Sequence, residues 1–253
     1  MKIAKIAIIG TGNMGSWLAK ALMGRNGEGG AGLQIAIYNR HPEKARKIAA
    51  LLPGVRCMES VSELSDFAPD MLLNTVSLQN TVEAFAECAP YLKKECLLAD
   101  AASIKNGIPE FYSKCGMRFV SVHPMFGPTF ANMDLPKGEN AVVISESDAE
   151  GADFFRGLFK SLGLNLFSYS FAEHDEVMGY SLTTPFASSL VFAACVDSKA
   201  VPGTTFAKHM ALARGVLSED DKLLSEILFN AHSLKTLEKI TARLEHLKHI
   251  IKG

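Results

Sequence analysis

Three glycines near the start of the chain have a spacing that can bind a phosphate group. They form a GxGxxG pattern that directly follows an apolar run and directly precedes a helical pattern. In that context the first glycine permits a tight turn, the second lets the backbone approach a pyrophosphate, and the third lets the helix pack closely on the strand. The helix N-terminus adds free N–H groups and a partial positive charge. The pattern therefore predicts a dinucleotide-binding loop. Its candidate residues are Gly10, Thr11, Gly12, Asn13, Met14 and Gly15.

The end of the second predicted strand indicates which dinucleotide is bound. NAD sites usually place Asp or Glu there to bind the ribose hydroxyls. This chain instead has Asn39, Arg40 and His41. No carboxylate repels a 2′-phosphate at this position, and the Arg40 guanidinium can form charge-assisted hydrogen bonds to one. We therefore expect NADP to be preferred over NAD, with Asn39 and Arg40 in the cofactor site.

Further polar residues follow the predicted ends of other strands. Ser77 follows one strand, Ser103 lies in the segment DAASIK after another, and His123 begins HPMFGP just past a third. Ligands of open parallel sheets bind at the carboxyl ends of the strands, so these side chains should converge with the glycine loop on one crevice. A histidine there can act as a general base near neutral pH. We expect Ser77 to contact the cofactor.

The elements that must position these residues alternate in type through the first half of the chain. Apolar runs typical of buried parallel strands alternate with helical patterns, which predicts a Rossmann-type, doubly wound parallel sheet. The predicted strands are residues 3–9, 33–38, 70–76, 95–100 and 118–122. The predicted helices are residues 13–23, 41–52, 78–92 and 104–114. Segment 24–32 (GRNGEGGAG) is predicted to be a flexible loop without an assigned role.

The second half of the chain has a different pattern. Two short strands at 141–145 and 164–168 enclose a helix at 148–162, and an all-helical region follows. Its helices are predicted at about 172–199, 205–217, 220–230 and 233–251. We therefore divide the chain into a dinucleotide-binding domain, 1–170, and a helical substrate and dimerisation domain, 171–253.

A homodimer is expected because the helical domain is small for the amount of apolar surface it carries. Its last helix has an apolar stripe with lysines and glutamates on the other faces. A second copy of the chain could cover this excess apolar surface by packing against the C-terminal helices. The stripe consists of Leu237, Ile240, Leu244, Leu247 and Ile251.

The composition excludes several function classes. A net charge of −1 and the lack of aromatic-rich basic stripes argue against a nucleic-acid partner. No run of 18 to 20 apolar residues is apparent, so no membrane association is expected. The five cysteines are widely spaced and lack a CxxC pair. We therefore expect a reducing, cytoplasmic compartment and neither disulfides nor a metal site.

Three segments together resemble the prephenate dehydrogenase family, in particular its short, single-function bacterial members. They are DAASIK, VHPMFGP and EHDEVMGYSLTTPF, and the resemblance extends over nearly the whole chain. It implies an oxidative decarboxylation of prephenate, or of its amino analogue arogenate, on the route to tyrosine. His123 matches the histidine that deprotonates the substrate's 4-hydroxyl, and Ser103 matches the serine that bonds the same hydroxyl. An uncharged imidazole is required, so activity should fall at acid pH.

The chain departs from the family pattern where the substrate's carboxylates should bind. Members carry an arginine on the helix after the long one, and here the match is inexact. The candidate cations are Lys208, His209 and Arg214. His174, with Asp175, matches a family pair and is a further candidate for substrate binding. We favour a role at the domain junction, because two polar residues that open a long helix can also cap it, and a direct catalytic role is the alternative. The choice between prephenate and arogenate, and feedback inhibition by tyrosine, stay open.

Two other functions are compatible with parts of the sequence. The GxGNMG opening also resembles pyrroline-carboxylate reductases, so another small two-domain dehydrogenase or imine reductase is the alternative enzyme. The combination of DAASIK with HPMFGP argues against it. A non-catalytic, dinucleotide-sensing protein is the alternative of a different class. Such a protein should lack His123 or Ser103, and both are present.

Overall fold

The computed structural model describes residues 3–24, 32–196, 201–219 and 221–253. The chain divides into two compact units, Met1–Phe171 and Ala172–Gly253. Most of the predicted 24–32 loop lies outside the described residues.

The first unit is built on an eight-stranded sheet formed by the described residues. The strand order is β3-β2-β1-β4-β5-β6-β7-β8, and β1 to β6 run parallel. The order reverses between β1 and β4, which is the position where doubly wound sheets bind ligands. The Rossmann-type fold class is therefore confirmed. The strands are β1 Lys5–Ile9, β2 Gln34–Tyr38, β3 Arg56–Met58, β4 Met71–Asn74, β5 Leu97–Asp100, β6 Phe119–Pro124, β7 Asn140–Ile144 and β8 Asn165–Tyr169.

The sheet differs from the sequence prediction at both edges. The edge strand β3 has three residues, which is too short for an apolar period to reveal it. At the other edge β7 runs antiparallel to β6, while β8 is parallel to β7. The sheet is therefore mixed rather than wholly parallel, as is common where an edge strand is added to a parallel core.

Helices cover both faces of this sheet and enclose an apolar layer on each. One layer contains Ile6, Ile8, Leu73, Val120 and Val122, and the opposite layer contains Ala7, Leu72, Leu98 and Ile108. Burial on both faces explains why the strands appear in the sequence as continuous apolar runs. The helices are α1 Asn13–Gly24, α2 Pro42–Leu51, α3 Leu64–Phe67, α4 Leu78–Cys88, α5 Ile108–Cys115 and α6 Ala149–Ser161.

Helix α5 begins four residues later than predicted. The sequence indicated a helix from Ile104, but the helix begins at Ile108. Gly107 has a φ of 78°, a left-handed conformation that interrupts a right-handed helix, and Pro109 is well placed in the first helical turn. Residues 101–107 are therefore a loop rather than the first turn of a helix.

The second unit is helical throughout its regular structure. The predicted long helix over 172–199 is wrong in one respect, because it is broken at Leu182 and residues 197–200 lie outside the described residues. Pro185 explains the break, since a proline is tolerated in the first turn of a helix but not in its interior. The helices are α7 Phe171–Ser181, α8 Thr183–Cys195, α9 Thr204–Leu217, α10 Asp221–Leu228 and α11 Ser233–Lys252.

Helix α8 packs against α9, α10 and α11. The helical stretch Phe171–Cys195, interrupted only at Leu182, is apolar and long enough to cross a membrane by length and composition alone. This differs from the sequence expectation that no such stretch exists. Only 22% of its most apolar window is buried, so much of this apolar surface faces outward in a single chain.

Candidate functional site

The glycine loop connects β1 to α1 with the geometry that its sequence predicts. Gly10 has a φ of 90°, and its amide donates to the carbonyl of Tyr38 at 2.9 Å. A Cβ on Gly15 would overlap the Gly10 carbonyl and the Thr75 hydroxyl, whereas a Cβ on Gly12 would meet nothing within 4 Å. The third glycine thus serves internal packing, and the second leaves open space where a ligand's phosphate can approach the backbone.

Thr75 supports this loop, a role that the sequence analysis missed. Its hydroxyl lies 2.8 Å from the carbonyl oxygen of Gly10 and 3.1 Å from that of Ile9. The side chain of Thr75 therefore ties the end of β4 to the turn after β1. A threonine following an apolar strand carries no recognisable sequence signal for this role.

The residues after β2 form a second support for the glycine loop. The Asn39 amide donates to the Thr11 hydroxyl at 2.8 Å, and its carbonyl accepts from the His41 amide at 2.9 Å. Arg40 lies between them at an exposed bend. Asn39 is therefore fixed by the protein, and Arg40 presents its guanidinium at the surface beside the loop.

Ser77 lies directly before α4, two residues after Thr75. Its hydroxyl accepts a hydrogen bond from the Asn80 side chain at 2.8 Å, and its carbonyl accepts from the Thr81 hydroxyl at 3.1 Å. The side chain is half-buried and makes no capping bond to the helix. Ser77 thus lies three residues past the carboxyl end of β4, the strand that neighbours β1.

A buried ion pair closes the DAASIK segment. Asp100 ends β5, and its Oδ1 accepts from the Lys105 ammonium at 2.7 Å while both side chains are fully buried. Tyr112 of α5 donates its phenol to the other carboxylate oxygen at 2.9 Å. Burial and the nearby carboxylate raise the pKa of Tyr112 well above its ordinary value, so the phenol keeps the proton that it donates.

The ammonium of Lys105 also contacts the neighbouring strand. It donates to the backbone carbonyl of Val122, the residue before His123, at 2.7 Å. From the sequence, the DAASIK motif indicated a role only for Ser103. The spacing of an aspartate and a lysine five residues apart was the signal that could have revealed the pair.

His123 lies within β6 and not past its end, which corrects the sequence prediction. The register between β5 and β6 ends at Asp100 and Ser121, and the last three residues of β6 pair with β7, where His123 faces Val142. The antiparallel strand β7 thus extends β6 beyond the predicted residue 122. Because side chains alternate along a strand and Val122 faces one apolar layer, His123 shares the opposite face with Ser121. The side chain is 3% exposed.

Ser103 lies in the loop between β5 and α5 and is half-buried. The loop is held at both ends, because the Ala102 amide donates to the Asp100 carboxylate at 3.2 Å and Lys105 bonds the same group. The bond from Lys105 to Val122 brings this loop beside the end of β6. The structure thus places Ser103 and His123 at the carboxyl ends of neighbouring strands.

The segment after His123 packs back onto the helix of the glycine loop. Phe126 meets Trp17 of α1 edge-on, with ring centroids 4.9 Å apart. Favourable aromatic pairs adopt this geometry. The contact holds the HPMFGP segment against α1. The glycine loop and the end of β6 therefore lie on the same side of the sheet, at the carboxyl ends of its parallel strands.

The candidates in the second unit fall into two groups. His174 is fully buried, and its Nδ1 lies 2.9 Å from Oδ1 of Asp175. Both residues lie inside α7, which begins at Phe171, so the expectation that they cap this helix is wrong. Lys208, His209 and Arg214 are exposed on α9.

The glycine loop fits a dinucleotide on geometric grounds. It combines an open approach at Gly12, a helix N-terminus and supports from Thr75 and Asn39. The described residues contain no group of three or more His, Cys, Asp or Glu side chains placed to hold a metal ion.

Comparisons with known proteins agree with this architecture. A crystal structure of prephenate dehydrogenase from A. aeolicus, in complex with hydroxyphenyl propionate and NAD+, superposes with a TM-score of 0.81 at 22% identity. The match covers 99% of this chain and 91% of that one. This likeness establishes the fold.

Two curated proteins are similar in sequence. A probable arogenate/prephenate dehydrogenase of Methanocaldococcus jannaschii is 27% identical over 69% of this chain. The chloroplastic arogenate dehydrogenase 1 of Arabidopsis thaliana is 22% identical over 96% of this chain. In each case the match covers 38% of the length of the relative.

Residues 24–150, half of the chain, match the family described as "Prephenate dehydrogenase, nucleotide-binding domain". The matched stretch contains Arg40, Ser77, Ser103 and His123, while the glycine loop lies ahead of it. On this match, the chain belongs to the prephenate dehydrogenase family.

Proposed function

We propose that the chain is an NAD(P)-dependent dehydrogenase that oxidatively decarboxylates prephenate or arogenate, giving 4-hydroxyphenylpyruvate or tyrosine. The observation that carries this proposal is the bond from Lys105 to the carbonyl of Val122. It joins the loop of Ser103 to the strand of His123, within the stretch that matches the family. A serine and a histidine held at adjacent strand ends suit the binding and deprotonation of one hydroxyl group.

In this proposal His123 is the general base and Ser103 orients the same substrate hydroxyl. When bound, the nicotinamide supplies the hydride acceptor for substrate C4. Neutral His123 takes the proton of the 4-hydroxyl as the C4–H bond breaks. The C1 carboxylate then leaves as CO2, its bonding electrons complete the aromatic ring, and the phenolate oxygen takes a proton back. Ser103 donates to or accepts from the hydroxyl and keeps it aligned with His123.

NADP is the proposed preferred cofactor. Residues 10–15 would hold its pyrophosphate, Ser77 would lie along its path, and Asn39 with Arg40 would receive the 2′-phosphate. The support is that Arg40 is exposed next to Asn39, whose side chain is hydrogen-bonded to Thr11 of the glycine loop. An arginine where NAD sites usually have Asp or Glu favours a phosphate over a free hydroxyl.

The substrate's carboxylates require cations, for which His174, Lys208, His209 and Arg214 stay the candidates. We propose that residues 1–170 bind the dinucleotide and that residues 171–253 serve substrate binding and dimerisation. The three α9 candidates are exposed and available to a ligand, whereas His174 is buried beside Asp175 and suits a structural role better.

We also propose a cytoplasmic homodimer without nucleic-acid or membrane partners. The described cysteines are all free, which suits a reducing compartment. The helical region leaves large apolar residues exposed on α8, α9 and α11, and a second copy would cover them. These residues include Val191, Leu212, Leu244, Leu247, Ile250 and Ile251.

A steady-state assay of the purified protein tests the enzymatic proposal. Each of prephenate and arogenate is offered with NAD and with NADP, and reduced nicotinamide is followed by its absorbance. We expect turnover of at least one substrate, a higher kcat/KM with NADP, and release of one CO2 per reduced nicotinamide. Absence of turnover with all four combinations would refute the proposal.

A further inference from the structure

Lys105 is a fully buried lysine, and burial of a charge calls for an explanation. Moving an ammonium out of water is costly unless it is paired and hydrogen-bonded. Lys105 meets that condition through Asp100 and the Val122 carbonyl, both at 2.7 Å. A buried ion pair is nevertheless weak evidence for stability, because apolar residues of similar volume often stabilise a core as well. Fold stability alone therefore does not account for this pair.

The position of the ammonium gives a better explanation. The pairing of β5 with β6 ends at Asp100 and Ser121, so β5 is too short to reach the carbonyl of Val122. Lys105 reaches back from the following loop and donates to that carbonyl. The Lys105 ammonium thus donates the hydrogen bond that a longer β5 would otherwise give to the carbonyl of the residue before His123.

The Asp100 end of the ion pair is also held by hydrogen bonds. The Asp100 carboxylate that holds Lys105 also accepts from the Ala102 amide and from the protonated Tyr112 phenol. The Lys105 carbonyl accepts from the amide of Ile108, the first residue of α5. Ser103 therefore lies in a six-residue segment, 100–105, whose first and last residues are joined by an ion pair.

We infer that Lys105 is a positioning residue, whose ammonium sets the backbone of His123 relative to the loop of Ser103. The inference rests on the proposed function, since it assumes that these two side chains act on one substrate. Lys105 acts on the proposed chemistry through its bonds to the backbone of Val122 and to Asp100. Misplacement of a catalytic group by about 1 Å can reduce turnover about 100-fold, so such a link is strong enough to matter.

The test uses a double variant, because Lys105→Met alone would leave the Asp100 carboxylate buried and unpaired. Asp100→Asn with Lys105→Met removes both charges together and keeps similar volumes. The matched control is Asp134→Asn with Lys20→Met, which removes an exposed lysine–aspartate pair at 2.6 Å in the same unit. Three quantities are measured for each protein: kcat and KM, the dinucleotide Kd, and the imidazole NMR signals of His123, assigned by their loss in His123→Asn.

We expect the double variant to fold and to bind dinucleotide with an unchanged Kd. Its kcat should fall about 10- to 100-fold with little change in KM, and its His123 signals and their pH titration should shift. The control should match the wild-type protein in all three measurements. A double variant with wild-type kcat and unshifted His123 signals would overturn the inference, and so would one that fails to fold, since the pair would then serve stability.

The NMR measurement of His123 distinguishes a failure of this inference from a failure of the proposed function. If the wild-type protein turns over neither substrate but the His123 signals shift in the double variant, the positioning role stands and the proposed reaction fails. If the wild-type protein is active and the double variant is equally active with unshifted signals, the reaction stands and the positioning role fails.

Discussion

At the scale of single residues, the backbone on both sides of β6 helps to fix where the proposed base lies. His123 pairs with Val142 of β7 on one side, and its preceding carbonyl is bound by Lys105 on the other. Its imidazole is only 3% exposed, which limits competition from water for the proton. Because the backbone around it is hydrogen-bonded on both sides and its side chain is buried, His123 loses little conformational freedom when a substrate binds.

Replacing His123 by Asn should therefore abolish most turnover without weakening the cofactor site. We expect kcat to fall by roughly 100-fold or more, because a general base typically contributes that much. Dinucleotide affinity, measured by titration, should be unchanged. His249→Asn, at an exposed position of α11, is the control and should retain full activity. Full kcat in His123→Asn would remove this residue from the mechanism.

The charge of Arg40 should decide between the two dinucleotides. Arg40→Ala is expected to raise the KM for NADP about 10- to 100-fold, because hydrogen bonds to a charged group are worth about 1.5–3 kcal/mol. The KM for NAD should stay within about twofold. Arg156→Ala, which removes an exposed guanidinium on α6, serves as the matched control. Equal effects on both cofactors would contradict a contact between Arg40 and the 2′-phosphate.

At the scale of elements, the glycines of one loop have separable tasks. Gly15 packs against the Gly10 carbonyl and the Thr75 hydroxyl, while Gly12 faces open space. The sequence pattern predicts both roles, because their spacing is fixed by the strand–turn–helix unit itself. The support from Thr75 depends on a strand more than 60 residues away, and local spacing carries no information about it.

The contrast between local patterns and contacts to distant segments also explains the other differences between the sequence predictions and the structure. Apolar runs revealed the parallel core strands, because burial on both faces leaves a strong local signal. The last residues of β6 and the direction of β7 depend on pairing between distant segments, which no local pattern encodes. The buried partners of Asp100, likewise, come from the 101–107 loop, from α5 and from β6. The motif was visible in the sequence, but its function as a link between two strands was not.

Alanine at Gly12 and at Gly15 should separate binding from folding. Gly15→Ala forces a Cβ into backbone atoms, so the free energy of unfolding should fall by about 1–3 kcal/mol. Gly12→Ala meets no protein atom and should leave stability unchanged. Its methyl group would instead obstruct the pyrophosphate and weaken dinucleotide binding about tenfold, or about 1.4 kcal/mol. Thermal unfolding and dinucleotide titration of both variants check this, and equal stability losses would contradict it.

A second element-scale prediction concerns the start of α6. Asp148 caps this helix by accepting from the amides of Glu150 and Gly151, and Arg118 binds its carboxylate at 2.7 Å. The Arg118 guanidinium lowers the pKa of Asp148 below its ordinary value of 3.8. Asp148→Ala should therefore reduce the free energy of unfolding by about 1–2 kcal/mol at pH 7.

The pH dependence of this loss follows from the direction of the pKa shift. The carboxylate contributes its full stability above the ordinary pKa, and the contribution disappears as the pH falls through the lowered folded-state pKa. The ion-pair part of the difference between wild type and Asp148→Ala should thus shrink below about pH 4. Asp148→Asn retains a capping oxygen and should lose less stability than Asp148→Ala at pH 7. Denaturant unfolding at several pH values measures this, and a pH-independent difference would exclude the ion pair as its source.

At the scale of the whole molecule, the helical region leaves much of its apolar surface uncovered. On α11, Leu237 and Ile240 are half-buried, but Leu244, Leu247 and Ile251 of the same stripe are exposed. On α8, Val191 is likewise exposed. Exposed apolar residues grouped on one helix face are typical of an interaction surface.

A second copy of the chain is the simplest partner, and sedimentation can detect it. We expect a particle of twice the 27.4 kDa chain mass at micromolar concentration. Leu247→Glu combined with Ile251→Glu places two charges on the exposed half of the stripe, where burying them without partners would be costly. That variant should sediment as a monomer, whereas Lys239→Glu, on another face of α11, should stay dimeric. A wild-type monomer would contradict the dimer, and a wild-type protein that stays soluble only with detergent would assign the apolar surface to lipid instead.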